Sequence, residues 1–141
     1  MQNKKYVLMS IKPVYAGLIK SGEKTIELRR VAPKVKSGDI LVIYESSPIK
    51  KVTSYCEIDS IVITEPIKLW EISENTAGLT YDSFEKYYKG KLQAVGLKLG
   101  KVQLITHPKS LCEISGNLHA PQSYRYLTEE QFHELTQMSK M

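Results

Sequence analysis

Long apolar runs are missing from this chain of 141 residues, and none approaches the ~20 residues that a membrane-spanning helix needs. The opening Met1-Gln2-Asn3-Lys4-Lys5-Tyr6 has no apolar signal core, so the cytoplasm is the expected compartment. Cysteine is scarce. Cys56 and Cys112 make neither a disulfide framework nor a metal-ligand set, and read as buried thiols in a reducing compartment. His107, His119 and His133 are scattered, with no carboxylate or cysteine at ligand spacing. The sequence has no Walker loop, no Gly-x-Gly-x-x-Gly and no supported Ser–His–Asp set, so neither a metal nor a nucleotide or flavin cofactor is expected.

Acidic residues are few in the first third. Residues 1–51 hold eleven Lys or Arg against four acids, a net of +7, whereas residues 52–141 hold nine against eleven, a net of −2. A basic half attracts phosphate over a Debye length of ~8–10 Å, which fits a nucleic-acid partner; a solvated basic surface is the plainer explanation. The length suits one domain over 1–141, with its core at about 6–128 and a C-terminal helix at 128–138.

Periodicity places the elements. Residues 5–11 read as a buried strand. Pro13 opens a helix over 13–20 with Val14, Tyr15, Leu18 and Ile19 on one face, and Gly22 stops it. From residue 25 to 30 the period becomes two: Ile26 and Leu28 face one way, and Thr25, Glu27 and Arg29 the other. Ile40 to Tyr44 is apolar throughout, so both faces of that strand are covered or it lies in a barrel wall. Between Val52 and Thr64 the apolar parity changes, from Cys56 and Ile58 to Ile61 and Ile63, and a β-bulge near Asp59-Ser60 would return both sets to the core. A short helix follows Pro66, with Trp70 read as a core plug, and residues 75–78 form a loop. Thr80 caps a helix that Gly90 ends. Leu92 to Ile105 flips parity near Gly100 and is either a hairpin or a strongly bent strand; 108–113 is one helical turn or two. Thr128-Glu129-Glu130-Gln131 has capping-box spacing before a helix carrying Phe132, Leu135 and Met138. The expected fold is mixed and mainly β, a small barrel of five to six strands with flanking and terminal helices.

Three groups could carry chemistry. Lys24, Glu27 and Arg29 follow the first helix. Arg29 offers a planar donor fork, Glu27 on the same strand face could hold it or position a water, and partial burial near other cations would lower the Lys24 pKa. A surface ion pair worth ~0–1 kcal/mol beside a turn lysine is the structural alternative. The second group is Tyr44 at a strand's end with Ser46 and Ser47, suited to stacking on a base and touching phosphate, or simply to making a turn. The third is Gln122, Ser123, Tyr124 and Arg125, suited to reading a base edge or to tethering the last helix.

Several of these residues also carry a resemblance. Ser10-Ile11-Lys12-Pro13, then Gly22-x-Lys24-x-x-Glu27-x-Arg29, Gly38-Asp39, Tyr44-Glu45-Ser46-Ser47-Pro48 and Pro121-Gln122-Ser123-Tyr124 look like the ASCH domain family, relatives of the PUA domains of RNA-modifying proteins. The resemblance covers roughly residues 6 to 128. It implies a PUA-like β-barrel whose Lys, Glu and Arg line a cleft, with Lys12, Tyr44, Ser46, Gln122 and Tyr124 as further ligand contacts, and RNA or a modified nucleoside as the partner. Some ASCH members deacetylate N4-acetylcytidine, with a threonine where this chain has Glu27 and a later acid for which Asp82 and Glu85 are both candidates; others cleave RNA. The resemblance therefore leaves binding module and hydrolase open. In a hydrolase Lys24 would activate water or attack the carbonyl and Glu27 would relay protons. A protein-binding regulatory domain is a third reading, favoured by an exposed apolar patch away from the motif.

Overall fold

The computed structural model describes residues 3–114 and 118–137. Seven strands, β1 (Tyr6–Ile11), β2 (Ile26–Arg29), β3 (Ile40–Glu45), β4 (Lys51–Thr64), β5 (Ala94–Leu99), β6 (Gln103–Lys109) and β7 (Tyr124–Leu127), form one barrel-like mixed sheet in the order β2-β5-β4-β3-β1-β7, with β6 on β4. It is one or two strands richer than the sequence suggested, and it does not close, since β2 and β7 end the path. The helices are α1 (Pro13–Ser21), α2 (Pro66–Ser73), α3 (Tyr81–Tyr88) and α4 (Glu129–Thr136); a 3₁₀ turn spans Leu111–Glu113.

β4 organises the sheet. Its first half pairs antiparallel with β3 and β6, and its second half pairs with β5. The handover is a bulge: Ile58 and Ser60 face the consecutive residues Leu99 and Lys98, leaving Asp59 as the extra residue. The expected bulge is thus present. Its effect differs from the expectation, because Ile61 packs into the core while Ile63 is 51% exposed. Beyond the bulge Val62 instead packs under α2 and α3. The parity flip at Gly100 is neither a hairpin nor one bent strand, as β5 and β6 bind successive parts of β4. Gly100 makes this corner possible: its N–H donates to the Glu57 carbonyl at 2.8 Å, and a Cβ there would meet that oxygen at 3.3 Å.

β1 and β3 run parallel at the centre, and both their faces are covered. Val7, Met9, Leu41 and Ile43 meet Ile19 of α1 and Leu97 of β5. Leu8, Val42 and Tyr44 meet Leu127 and Leu135 on the other side. Hence the unbroken apolar run at 40–44. α1 buries Ala16 and Ile19, not Val14, which is 66% exposed. Gly22 at φ 88 stops α1 as expected. Thr128 closes a capping box with Gln131, Phe132 stacks on Tyr6 at 4.5 Å, and Met138 lies outside the described residues. Cys56 is buried; Cys112 is exposed, contrary to expectation, because it sits on the 3₁₀ turn at the surface.

A third cluster sets β2 against α2 and α3 through Ile26, Leu28, Leu69, Phe84 and Tyr88, with Trp70 packed at its border as a plug. Gly96 lets these layers touch, since a Cβ there would lie 2.7 Å from Ile26 Cδ1 and 3.0 Å from Leu69 Cδ1. Gly96→Ala is expected to cost about 1–3 kcal/mol by overpacking, read from urea midpoints at unchanged slope.

Candidate functional site

The hollow is built where α1 hands over to β2. After the Gly22 turn, the Lys24 N–H donates to the Leu18 carbonyl at 2.9 Å and the Thr25 N–H to the Thr76 carbonyl at 2.9 Å. The first bond ties residue 24 to the end of α1, and the second holds the loop at 75–79 over the Lys24 side chain. The ammonium donates to the Ala77 carbonyl at 2.5 Å, and Gly78, at φ 78, lies over the lysine stem, where a Cβ would meet Lys24 Cδ at 3.2 Å. Lys24 is therefore 4% exposed, far from the solvated turn lysine of the structural alternative.

Glu27 serves two cations. Its Oε1 lies 3.6 Å from Lys24 Nζ and its Oε2 2.9 Å from an Arg29 terminal nitrogen, all three side chains being largely buried. The same Arg29 nitrogen donates to the Ser10 carbonyl, and its other one to Ser123 Oγ, each at 3.3 Å. Arg29 Nε is buried without a hydrogen-bond partner. Two cations share one carboxylate, so the trio carries a net +1, and Lys12 at the rim raises the local excess. Burial pulls the Lys24 pKa below its ordinary value, Glu27 partly restores it, and Arg29 adds to the depression.

The enclosed volume is about 270 Å³, near the ~300 Å³ lower end of small-ligand pockets. Leu28 and Leu79 make it partly apolar, and Tyr15 and Tyr87 border it. The Lys24 ammonium sits 5.7 Å from the Tyr15 ring centroid. Tyr87 donates its hydroxyl to the Leu28 carbonyl at 3.3 Å, and burial raises its pKa. The site can hold an anion or carbonyl against the arginine and a flat group among the tyrosines.

A profile of the ASCH domain matches residues 9–106. The chain belongs to the ASCH domain family. An ASCH domain-containing ribonuclease of Zymomonas mobilis is 29% identical over 139 residues, covering 97% of this chain and 94% of the relative. The crystal structure of ASCH from Zymomonas mobilis superposes with a TM-score of 0.88 at 30% identity over 94% of each chain. Large ribosomal subunit protein uL22 of Ureaplasma parvum is 28% identical over 105 residues, 74% of this chain; the match spans only 33% of that protein.

In this ASCH fold the structure brings together Lys12, Lys24, Glu27 and Arg29, with Ser123 touching Arg29. Tyr44 stands apart. The alternation of β3 turns it into the core with Val42 and Val52. Ser46 lies beside the end of β1, its N–H donating to the Ile11 carbonyl at 3.0 Å, and does not line the hollow. Gln122 is exposed and Tyr124 packs against the core beside β1. Of the candidate later acids, Glu85 accepts from the Tyr81 hydroxyl at 3.2 Å, and neither it nor Asp82 lines the hollow; Ser83, between them, does. Periodicity accounts for Tyr15 and Tyr87 as helix-face residues and for Ala77 as a loop residue, with no sign of the hollow that the two tyrosines border. Their one signal in sequence was the excess of tyrosine, nine against two phenylalanines.

Proposed function

We propose that this ASCH domain binds RNA, taking one nucleotide or modified nucleoside of a single strand into the Lys24–Glu27–Arg29 hollow. The observation that carries this reading is the Arg29 guanidinium, buried with a free Nε donor in a site of net positive charge. An acceptor oxygen of a phosphate or base would complete its set of bonds. Tyr15 and Tyr87 supply stacking surfaces for an unpaired base, the usual way single-stranded RNA is read. The Zymomonas relative, named a ribonuclease, supports RNA as the polymer class.

The depressed Lys24 pKa favours a second reading, in which the bound nucleotide is cleaved or deacylated. Burial makes the Lys24 ammonium readier to give up its proton, and the neutral amine can accept one from a ribose 2′-hydroxyl or a water, with Glu27, 3.6 Å away, to relay it. The two readings separate in one experiment. Labelled single-stranded RNA and N4-acetylcytidine are incubated with the wild-type protein and with Lys24→Met. Turnover by the wild type alone selects the hydrolase; no turnover by either, with RNA affinity kept, selects the binding module.

A further inference from the structure

Outside the hollow, unpaired positive charge from Lys5 and Lys34 gathers beside β7, the strand that ends the sheet next to β1. Ser123, just before this strand, touches Arg29. Three residues on, about 10 Å along an extended chain, stands Tyr126, a residue 42% exposed. Lys5 Nζ lies 5.8 Å from that ring's centroid and donates to the Lys34 carbonyl at 3.0 Å. The Lys34 N–H donates to the Tyr126 hydroxyl at 2.8 Å, which fixes the ring's orientation. Tyr124 meets the ring edge-on at 5.9 Å.

A groove of about 290 Å³ runs here between Lys4, Lys5, Tyr6, Lys34, Tyr126 and Leu127, and no acid lines it. Two nearby acids are committed, and Glu129, which borders the adjoining cavity beside Lys4, Tyr6 and Leu127, lies 3.9 Å from His133 Nε2. Asp39 accepts the main-chain N–H groups of Lys5 and Lys36 at 2.9 and 2.8 Å, and Glu57 pairs with Lys4 at 3.5 Å. Among the described residues no carboxylate pairs with the Lys5 or Lys34 ammonium.

We propose that β7 carries the RNA strand out of the hollow and onto a platform formed by Tyr126, Lys5 and Lys34, where a second base stacks and the phosphates meet the lysines. This rests on the reading of the hollow as an RNA site. An oriented aromatic ring beside unpaired cations, with sequence-tolerant stacking and salt-sensitive phosphate contacts, is the combination by which proteins bind single strands.

The test is fluorescence anisotropy with labelled oligouridylates of about two to about eight nucleotides, near the site size of a single-strand module. The proteins are the wild type, Tyr126→Leu, Tyr126→Phe, Lys34→Ala and Arg29→Ala, with melting temperatures checked for each. Affinity is expected to rise with length beyond the dinucleotide. Tyr126→Leu is expected to weaken the long oligomers about tenfold and leave the dinucleotide unchanged, while Tyr126→Phe keeps the ring and the affinity. Lys34→Ala should flatten the salt dependence for long oligomers by about 0.7 in logarithmic slope, which a merely structural role would not do. Equal affinity at all lengths, or long-oligomer binding indifferent to Tyr126→Leu and to Lys34→Ala, overturns the platform. Dinucleotide binding that ignores Arg29→Ala, with Tyr126-dependent binding of long RNA, overturns the hollow and leaves the platform standing. Absence of binding at every length overturns both.

Discussion

Glu27→Leu is expected to remove about 3–5 kcal/mol of stability, the range for breaking a buried ion pair by deleting one partner. The size follows from sharing: one carboxylate offsets the charge of two cations, and its loss leaves Lys24 and Arg29 facing one another in a space closed by the loop at 75–79. Lys24→Met is expected to behave differently. It removes a buried charge, leaves the 2.9 Å Glu27–Arg29 pair intact and fills the lysine's channel with an apolar chain of similar length, but strips the Ala77 carbonyl of its donor, so a smaller loss of about 1–3 kcal/mol is expected. Adding Lys24→Met to Glu27→Leu should recover part of the loss, a coupling that urea titration of the four proteins measures as a double-mutant cycle. Equal costs for the two single variants would mean that the trio is not the shared-carboxylate cluster described.

The pH dependence has a definite sign. Lys24's folded pKa lies below its ordinary 10.5, so between those two values the unfolded chain binds more protons than the folded one. The wild type therefore gains stability relative to Lys24→Met as pH rises through that window, and loses it as pH falls through the lowered folded value. Cys56 acts in the opposite sense, since burial raises its thiol to about 12 and stability falls as pH climbs above 9.0. Cys56 is present in both proteins, so the difference between them isolates Lys24. Thermal unfolding of the pair at several alkaline pH values gives the slope.

What the sequence carried plainly was local. The helix stop at Gly22 and the period-two run after it placed Glu27 and Arg29 on one strand face, because alternation in a short strand leaves no other choice. The bulge at Asp59 was legible as a break in parity, and the double burial of 40–44 as an unbroken apolar run. What stayed hidden depends on tertiary closure. Nothing at 75–78 signals that a carbonyl at Ala77 will cap a lysine 53 residues away, yet that contact turns Lys24 from a turn residue into a buried one. Tyr44, with Ser46 and Ser47 after it, reads in sequence as part of a ligand turn, whereas the alternation of β3 sets its ring among core residues outside the hollow. Tyr15 and Tyr87 sit on short helices whose apolar faces explain aromatic residues without any ligand, so periodicity alone could not distinguish them.

For binding, the largest loss is expected from Arg29→Ala. The residue gives up a donor fork and a free Nε, and hydrogen bonds to charged groups are worth about 1.5–3 kcal/mol, or roughly 10- to 150-fold in nucleotide affinity. Its removal also takes the trio from +1 to neutral, because Lys24 alone then balances Glu27. That residual pair keeps Glu27 compensated, so folding should survive where Glu27→Leu imperils it. Arg29→Lys restores the charge but not the planar fork, and should recover only the electrostatic share: the salt dependence returns while most of the affinity does not. Lys12→Ala, at the exposed rim, should weaken binding only modestly and lower the salt slope, as a screened phosphate contact does. Isothermal titration of the three variants and the wild type with a nucleoside monophosphate at two ionic strengths reads these outcomes. An Arg29→Ala protein that is folded and binds within twofold of the wild type would place the ligand elsewhere on the molecule, since among the described residues Arg29 Nε is the buried cationic donor bordering the hollow that has no partner.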